Sequence, residues 1–404
     1  MTDSPDFRLR EIALPAYGPT ILSSLGYGAA MPMVALQARA LGAGVGTAAL
    51  VVALFGLGQL VTSLPAGAVV ARLGERRALA TAAVVEATAM VGAALATSVV
   101  VFGAAVAVGG SAWSVFLISR QGYMIDAVPQ AYRARAMAAL GGATRVGVFL
   151  GPLMGAALIG PFGISAVFLL AAVCALLGGV VALAVPDLGV EDRAIQREEG
   201  FASVASVVVA HRHVLLTLGF SVVILGASRS VRNGLIPLWA DHIGIAPTTT
   251  SLVFALAAAV DILMFYPGGW LMDRHGRRLV AVPIVVGVAI ACLALPWVSG
   301  VTGLAAVMIL IAFANGLGSG IVMTMGADSA PVVGRAQFLG AWRLCGDIGV
   351  SGGPLFVSAL SLVAPLAAVC VVVGLFGLAG AGWVACWTGR LDERLRRYDV
   401  TASE

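Results

Sequence analysis

The sequence contains no lysine: all 24 of its basic residues are arginine. A phosphate-cradling loop of the Gly-Lys-Ser/Thr kind and a Schiff-base nucleophile are both excluded by that absence. Charge of either sign is scarce, at 11% of residues, and no basic stretch with interleaved aromatics lies outside the apolar runs, so nucleic acid is not an expected partner. The five cysteines, Cys174, Cys292, Cys345, Cys370 and Cys386, lie singly in apolar surroundings, and their odd number argues against a disulfide framework. The four histidines, His211, His213, His242 and His275, fall at helix ends or loops. No metal spacing and no nucleophile–base–acid constellation is visible. An enzyme is not expected, and neither is a metal or a cofactor.

What the chain has instead is apolar length. Hydrophobic residues make up 60% of it, and its mean hydropathy is +1.00. A bilayer-spanning helix needs about 20 consecutive apolar residues. Windows of that kind run over 12–36, 47–70, 77–98, 100–124, 137–160, 163–185, 213–239, 249–272, 279–298, 302–327, 337–361 and 364–388. Backbone groups in hydrocarbon must be satisfied within the segment, and runs this continuous suit helices, not the alternating strands of a barrel. The first run follows the polar start MTDSPDFRLRE and is too long for a signal-peptide core, so it is read as a retained helix.

The arginines fall unevenly. Eighteen lie in the two termini and in alternate loops, among them Arg72, Arg76, Arg77, Arg274, Arg277 and Arg278, whereas the other set of loops carries Arg39 alone. By the positive-inside rule both termini are cytoplasmic. The net charge of +4 is thus a topology signal, and a multi-pass protein of the cell membrane is expected.

Shifting the sequence against itself by 202 residues aligns Gly67 with Gly269, Gly74 with Gly276, Asp126 with Asp328, Pro129 with Pro331, Arg133 with Arg335, and Gly151-Pro152 with Gly353-Pro354. One ungapped shift matches three separate regions, so the chain reads as two parallel six-helix halves. Residues 1–185 form the first half, 186–212 a polar cytoplasmic linker, and 213–404 the second half with a cytoplasmic tail. Parallel halves related by an axis along the membrane normal are an architecture of secondary transporters.

The stretch GGWLMDRHGRRL, 268–279, joins the eighth and ninth runs, and AGAVVARLGERRAL, 66–79, joins the second and third. Both resemble the signature loop of the major facilitator superfamily: a glycine, three residues, Asp-Arg, then Gly-Arg-Arg. The second copy matches through Gly269, Asp273, Arg274, Gly276, Arg277 and Arg278. The first keeps Gly67, Arg72 and Gly74 but has Ala71 in place of the aspartate and Glu75 in place of an arginine. Gly147, Gly151, Pro152 and Gly155 in the fifth run resemble the family's antiporter motif. A third family motif, an arginine deep in the fourth helix, is not met: its depth falls near Ala105, while Arg120 lies close to the cytoplasmic end. The resemblance covers all twelve runs. It implies an all-α fold of twelve transmembrane helices in two pseudo-symmetric halves, and among family members it points to the twelve-helix drug/proton antiporter type. It also implies loop contacts that differ between inward-open and outward-open states.

A charge at the centre of a membrane helix costs about 2.5–3.5 kcal/mol on insertion scales, so those present are informative. They are Glu86, Arg120, Arg145, Arg229, Arg232, Asp261, Arg343 and Asp347. Under the repeat, Gln59 corresponds to Asp261 and Arg145 to Asp347. With the helix neighbours the family fold implies, two polar contacts follow, Arg145 with Asp261 and Gln59 with Asp347. Asp261, Asp347, Arg145, Arg343, Gln59 and Glu86 are accordingly candidates for proton coupling or gating, or else structural pairs that hold helix register. Tyr17, Tyr27, Arg229, Arg232, Asn233, Trp239 and Asn315 are candidates to line a central cavity. Arg229 and Arg232, three apart, share a helix face and suit an anionic group. The glycines of GLGSG, 316–320, read as close packing within a helix, and Met264 and Phe265 as packing residues. The expected function is secondary active transport, with protons and a small molecule as partners and a monomer as the working unit. Proton-coupled efflux of a partly hydrophobic drug or metabolite is the main expectation, and proton-coupled uptake of a small polar nutrient is the alternative. A non-transporting membrane protein on the same fold is the remote third.

Overall fold

The computed structural model describes residues 9–128, 132–183, 208–318, 320–331 and 335–403. The charged segment 186–200 of the expected linker lies outside them. Among the described residues all regular structure is helical. In chain order the helices are α1 (Leu9–Ala40), α2 (Val45–Leu73), α3 (Glu75–Leu95), α4 (Val99–Ala127), α5 (Arg133–Phe162), α6 (Ser165–Leu183), α7 (Arg212–His242), α8 (Pro247–His275), α9 (Arg278–Ala294), α10 (Val301–Ser329), α11 (Arg335–Leu360) and α12 (Leu366–Ser403). Eleven of them carry a segment long and apolar enough to cross a membrane, and α11, at 26 residues, is of comparable length. Helices are the answer such a sequence allows, because each satisfies its own backbone where no water is present.

Two helices depart from the expected regularity. α7 contains one π turn, Leu215–Gly219, just after its start. α10 is broken: its first part ends at Leu317, Gly318 caps it, and a second part runs Ile321–Ser329. The reading of GLGSG as continuous helix is corrected there. Gly316 does pack closely, since a Cβ on it would lie 2.6 Å from the Met264 Cβ and 3.1 Å from the Asp261 Cα, which also confirms Met264 in a packing role. Gly318, however, ends the helix.

The chain divides into two compact units, Met1–Met33 with Leu57–Gly200, and Val34–Gly56 with Phe201–Glu404. The outer ends of α1 and α2 therefore group with the second unit, unlike the expected boundary. In the first unit α3 packs on α4 and α6, and α1 lies against α5 and α6. Small residues set the approach: a Cβ on Gly147 would lie 2.5 Å from the Ile21 carbonyl oxygen, and one on Gly151 2.6 Å from the Ala29 nitrogen. Gly26 and Ala171 bring α1 equally close to α6. In a bilayer, where lipid tails are as apolar as side chains, such close backbone approach is a main source of helix association.

In the second unit α7 packs on α11, α9 on α12 and α8 on α10. The α7–α11 contact repeats the α1–α5 one, with Gly349 against Ala227 N and Gly353 against Ala227 O. A core of Leu218, Val222, Leu225, Ile284, Met325, Phe338 and Trp342 fills the end nearer the signature loop.

Candidate functional site

The second signature loop is braced from three directions. α8 ends at His275, Gly276 turns the chain at φ 93° and ψ 175°, and α9 starts at Arg278. That backbone region is essentially restricted to glycine. The Asp392 carboxylate, from the end of α12, accepts from the backbone N–H of Arg277 at 2.8 Å and of Arg278 at 2.9 Å. It thus caps α9, placing an anion where the unsatisfied amides and the dipole favour one. Arg277 Nε donates to Asp328 Oδ2 of α10 at 2.9 Å, in a pair that is mostly buried. Asp273, Arg274 and Arg278 are exposed, and the Arg274 guanidinium lies 5.1 Å from the centroid of the Trp270 ring. Gly269 has open space around it, so its conservation of the family pattern has no packing cause within this unit.

The first loop keeps the turn and is held by different contacts among the described residues. Gly74 sits at φ 81° and ψ 157°, close to its counterpart. Glu75 occupies the position equivalent to Arg277 and lies along α4, where a Cβ on Gly122 would come 3.1 Å from its Cγ. Arg76 donates to the Leu183 carbonyl at the end of α6. Arg72 and Gly67 are exposed.

An ion pair that the motifs do not announce closes the opposite end of the second unit. Arg39 Nε donates to Asp241 Oδ2 at 2.9 Å, and Arg39 Nη1 to the Ala43 carbonyl at 2.7 Å. The two residues are 202 apart, so they are repeat equivalents of opposite charge at the ends of α1 and α7. The same shift that revealed the repeat would have found them. Ser358 Oγ, donating to the Gly46 carbonyl at 2.8 Å, ties the start of α2 to α11 nearby.

The break in α10 explains one membrane arginine. A helix interrupted within hydrocarbon leaves carbonyls without partners. Arg229 Nη2 donates to Gly318 O at 2.6 Å, placing a cation at the negative end of the first part of α10. One turn on, Arg232 is half-buried, and its Nε has no hydrogen-bond partner among the described residues. The same holds for the buried Asn315 Oδ1 on α10. Asn233 is half-buried beside Arg232. Asp347 is buried on α11, one turn from Arg343, and Asp261 is half-buried on α8.

Three cavity candidates take packing roles. Trp239 is 3% exposed and its Nε1 donates to the Val298 carbonyl, so it anchors the turn after α9. The Tyr17 hydroxyl donates to Ala136 O at 3.4 Å and the ring packs on the α4–α5 cluster around Tyr123 and Leu140. Tyr27 stacks on Trp113, centroids 4.7 Å apart. In the first unit, Arg120 Nη1 donates to Thr144 Oγ1 at 3.0 Å and joins α4 to α5, while Arg145 Nη1 donates to its own helix at Gly141 O. Gln59 is buried on α2. Glu86 is buried on α3, and its Oε2 has no partner among the described residues. Arg145 and Gln59 belong to the first unit, Asp261 and Asp347 to the second. Among the described residues no group of histidine, cysteine and carboxylate side chains could hold a metal ion.

No curated protein matches the chain in sequence. Solved structures match its fold over nearly all of its length. A POT family transporter in complex with a thioalcohol-conjugated peptide has a TM-score of 0.77 at 10% identity, covering 95% of this chain and 96% of its own. A POT family transporter in complex with 5-aminolevulinic acid gives 0.75 at 11%, with 95% and 96% covered. The peptide transporter POT in complex with sulfate gives 0.75 at 13%, with 94% of each chain covered. At such identities the likeness is one of fold. The sequence pattern of the Major Facilitator Superfamily matches residues 20–228 and again 218–401. With both halves matched and the twelve helices and signature loop in place, the chain belongs to the major facilitator superfamily of secondary transporters.

Proposed function

We propose that the protein takes up a small polar solute bearing an anionic group, together with protons. The observation that carries this reading is a pair of buried polar atoms in the second unit. Arg229 is engaged by the break in α10, whereas the Arg232 Nε and the Asn315 Oδ1 are buried without partners among the described residues. Buried polar groups are nearly always hydrogen-bonded, so exceptions mark places where something else makes the bond. A cation and an amide suit a carboxylate or a similar oxyanion with a neighbouring donor. Structures of the same fold hold solutes of that chemistry: 5-aminolevulinic acid, a peptide conjugate and sulfate in the respective transporters.

Efflux of a hydrophobic compound, as in the drug/proton antiporter type, draws on the α5 motif. That support weakens because the pattern recurs at Gly349, Gly353 and Pro354 in α11, where it packs on α7 as Gly147 and Gly151 pack on α1. The glycines serve helix packing in both halves and carry no direction of transport.

Proton coupling needs a carboxylate that binds a proton on one side of the membrane and releases it on the other. Asp347, one turn from Arg343, and Asp261, against which Gly316 packs, fill that role in our reading, and Glu86, Arg145 and Gln59 are the first unit's own candidates for proton coupling or gating. Both termini are placed on the cytoplasmic side of the cell membrane, in accord with the arginine-rich loops, and the protein works as a monomer.

The test uses proteoliposomes with an imposed inward proton gradient and radiolabelled acidic or zwitterionic amino acids and dipeptides. Gradient-driven accumulation is expected, with Asp347→Asn abolishing it while solute counterflow persists, and with Arg232→Ala raising KM. Outward pumping of a lipophilic dye with no uptake of any anionic or zwitterionic solute would replace this reading by the efflux one.

A further inference from the structure

We propose that a cleft in the second unit holds one acyl chain of a bilayer phospholipid as a bound component. The cleft lies between α11 and α12, with α7 and α9 beneath it, and encloses about 410 Å³. None of the polar residues of the uptake reading lines it. α12 packs on α9 through Gly374 and Gly377, and α11 packs on α7 through Gly349 and Gly353, whereas α11 and α12 meet at few points, among them the edge-to-face pair Phe356–Phe376 with ring centroids 5.2 Å apart. A wedge therefore opens between them along the membrane normal.

The repeat shows which side chains differ between the halves along this lining. Ala227 on α7 and Gly352 on α11 face it, and a Cβ on Gly352 would meet nothing within 4 Å. At the equivalent positions the first half has Leu25 and Leu150. Cys292 and Val288, on α9, are matched there by Met90 and Glu86. At these four positions the first half carries the larger side chain, whereas at Phe220, Val231, Val285, Val373 and Phe376 the second half does, its counterparts being Gly18, Ala29, Ala83, Ala171 and Cys174.

Dimensions and chemistry select the occupant. Along α7 the lining runs from Phe220 to Val231, which at 1.5 Å per residue is about 16 Å. One leaflet of the hydrocarbon core is about 15 Å thick. Val288 stands ten residues, about 15 Å, from the Arg278 end of α9, so the cleft is centred near the bilayer middle and receives the distal part of a chain that enters from one leaflet. Apart from Ser228 and the Cys292 thiol, its lining side chains are apolar. An apolar cleft of this depth takes an apolar chain, and the bilayer supplies one at very high local concentration.

The experiment places the full chain in phosphatidylcholine nanodiscs containing a small fraction of phosphatidylcholine with a diazirine midway along one acyl chain, and maps adducts after illumination. Cys292 is 1% exposed, and Leu263 on α8 is 67% exposed and serves as the reference for ordinary lipid contact. Labelling of the Val285–Cys292 segment should equal or exceed that of the Leu263 segment despite its burial. Gly352→Leu alone, and with Ala227→Leu, should lower it, the double variant by roughly tenfold, the factor that about two displaced methylenes carry. Labelling at Leu263 should not change, and thermal melting of each variant shows that it is folded. Adducts that follow exposure alone, or that persist undiminished in folded Gly352→Leu, would overturn the proposal. Equal labelling by a headgroup diazirine would do so too. Displacement of the adducts by a short lipophilic alcohol, with Leu263 labelling unchanged, would reassign the cleft to small solutes.

Discussion

The two signature loops share a sequence shape and a turn geometry, yet among the described residues the second is held by carboxylates and the first by the Arg76 bond to the Leu183 carbonyl. Gly74 and Gly276 adopt nearly the same backbone conformation, and each is followed directly by a helix. In the second loop the turn is held by Asp392 and by the Arg277–Asp328 pair. In the first loop a glutamate replaces the arginine, and no carboxylate stands in the Asp273 position. A tight turn between membrane helices needs its glycine, then, but not its charges. In the second half the charges add a tie between helices, Arg277 of the loop to Asp328 of α10.

The largest effect expected from disturbing that contrast comes from Gly276→Ala. It combines backbone strain of about 1–3 kcal/mol with displacement of the Asp392 carboxylate, which a Cβ would approach to 2.7 Å. Gly74→Ala incurs the strain without that displacement, so its melting temperature should fall less. Equal losses in thermal melts would show that the Asp392 cap contributes nothing.

Arg277→Glu, which writes the first loop into the second, comes next. It removes a charged hydrogen bond worth about 1.5–3 kcal/mol and sets two carboxylates together. The companion change Asp328→Arg should recover part of the stability, and the double-mutant cycle measures the coupling. A coupling near zero would reduce the pair to coincidental proximity.

The smallest effect on stability is expected at Arg39 and Asp241, which are each about one-third exposed; exposed pairs contribute about 0.2–1 kcal/mol. Exchanging them, Arg39→Asp with Asp241→Arg, should restore the melting temperature lost in either single variant, because repeat-equivalent positions present similar geometry. Failure of the exchange to rescue would mean that the Ala43 contact, available only to an arginine at position 39, dominates.

Much of this molecule is legible without coordinates because a membrane imposes few, strong demands. Apolar length at Val45–Leu73 or Ser165–Leu183 can only be helix in hydrocarbon, and the 202-residue shift exposes the duplication and the turn glycines directly. The same shift holds the Arg39–Asp241 pair for anyone asking which equivalents have opposite charge. Asp392 is different: it stands in a tail crowded with arginines and carboxylates, and nothing local tells it from Glu393 as the cap of α9. Helix numbering suggested Tyr17 and Trp239 for a cavity lining but gave no sign of the contacts that the structure shows, the Tyr17 hydroxyl with the Ala136 carbonyl and the Trp239 indole N–H with that of Val298.

The sequence by itself therefore determined the twelve membrane helices, their doubling, and the glycine turns of the signature loops, since each follows from a local requirement of backbone in lipid or at a sharp bend. Tertiary structure alone decided that Arg229 satisfies the broken end of α10 while the neighbouring Arg232 keeps an unpartnered nitrogen, and that Ala227 and Gly352 leave a cleft. Those outcomes depend on distances between helices far apart in the chain, and uniform apolar runs do not encode such distances in any short stretch.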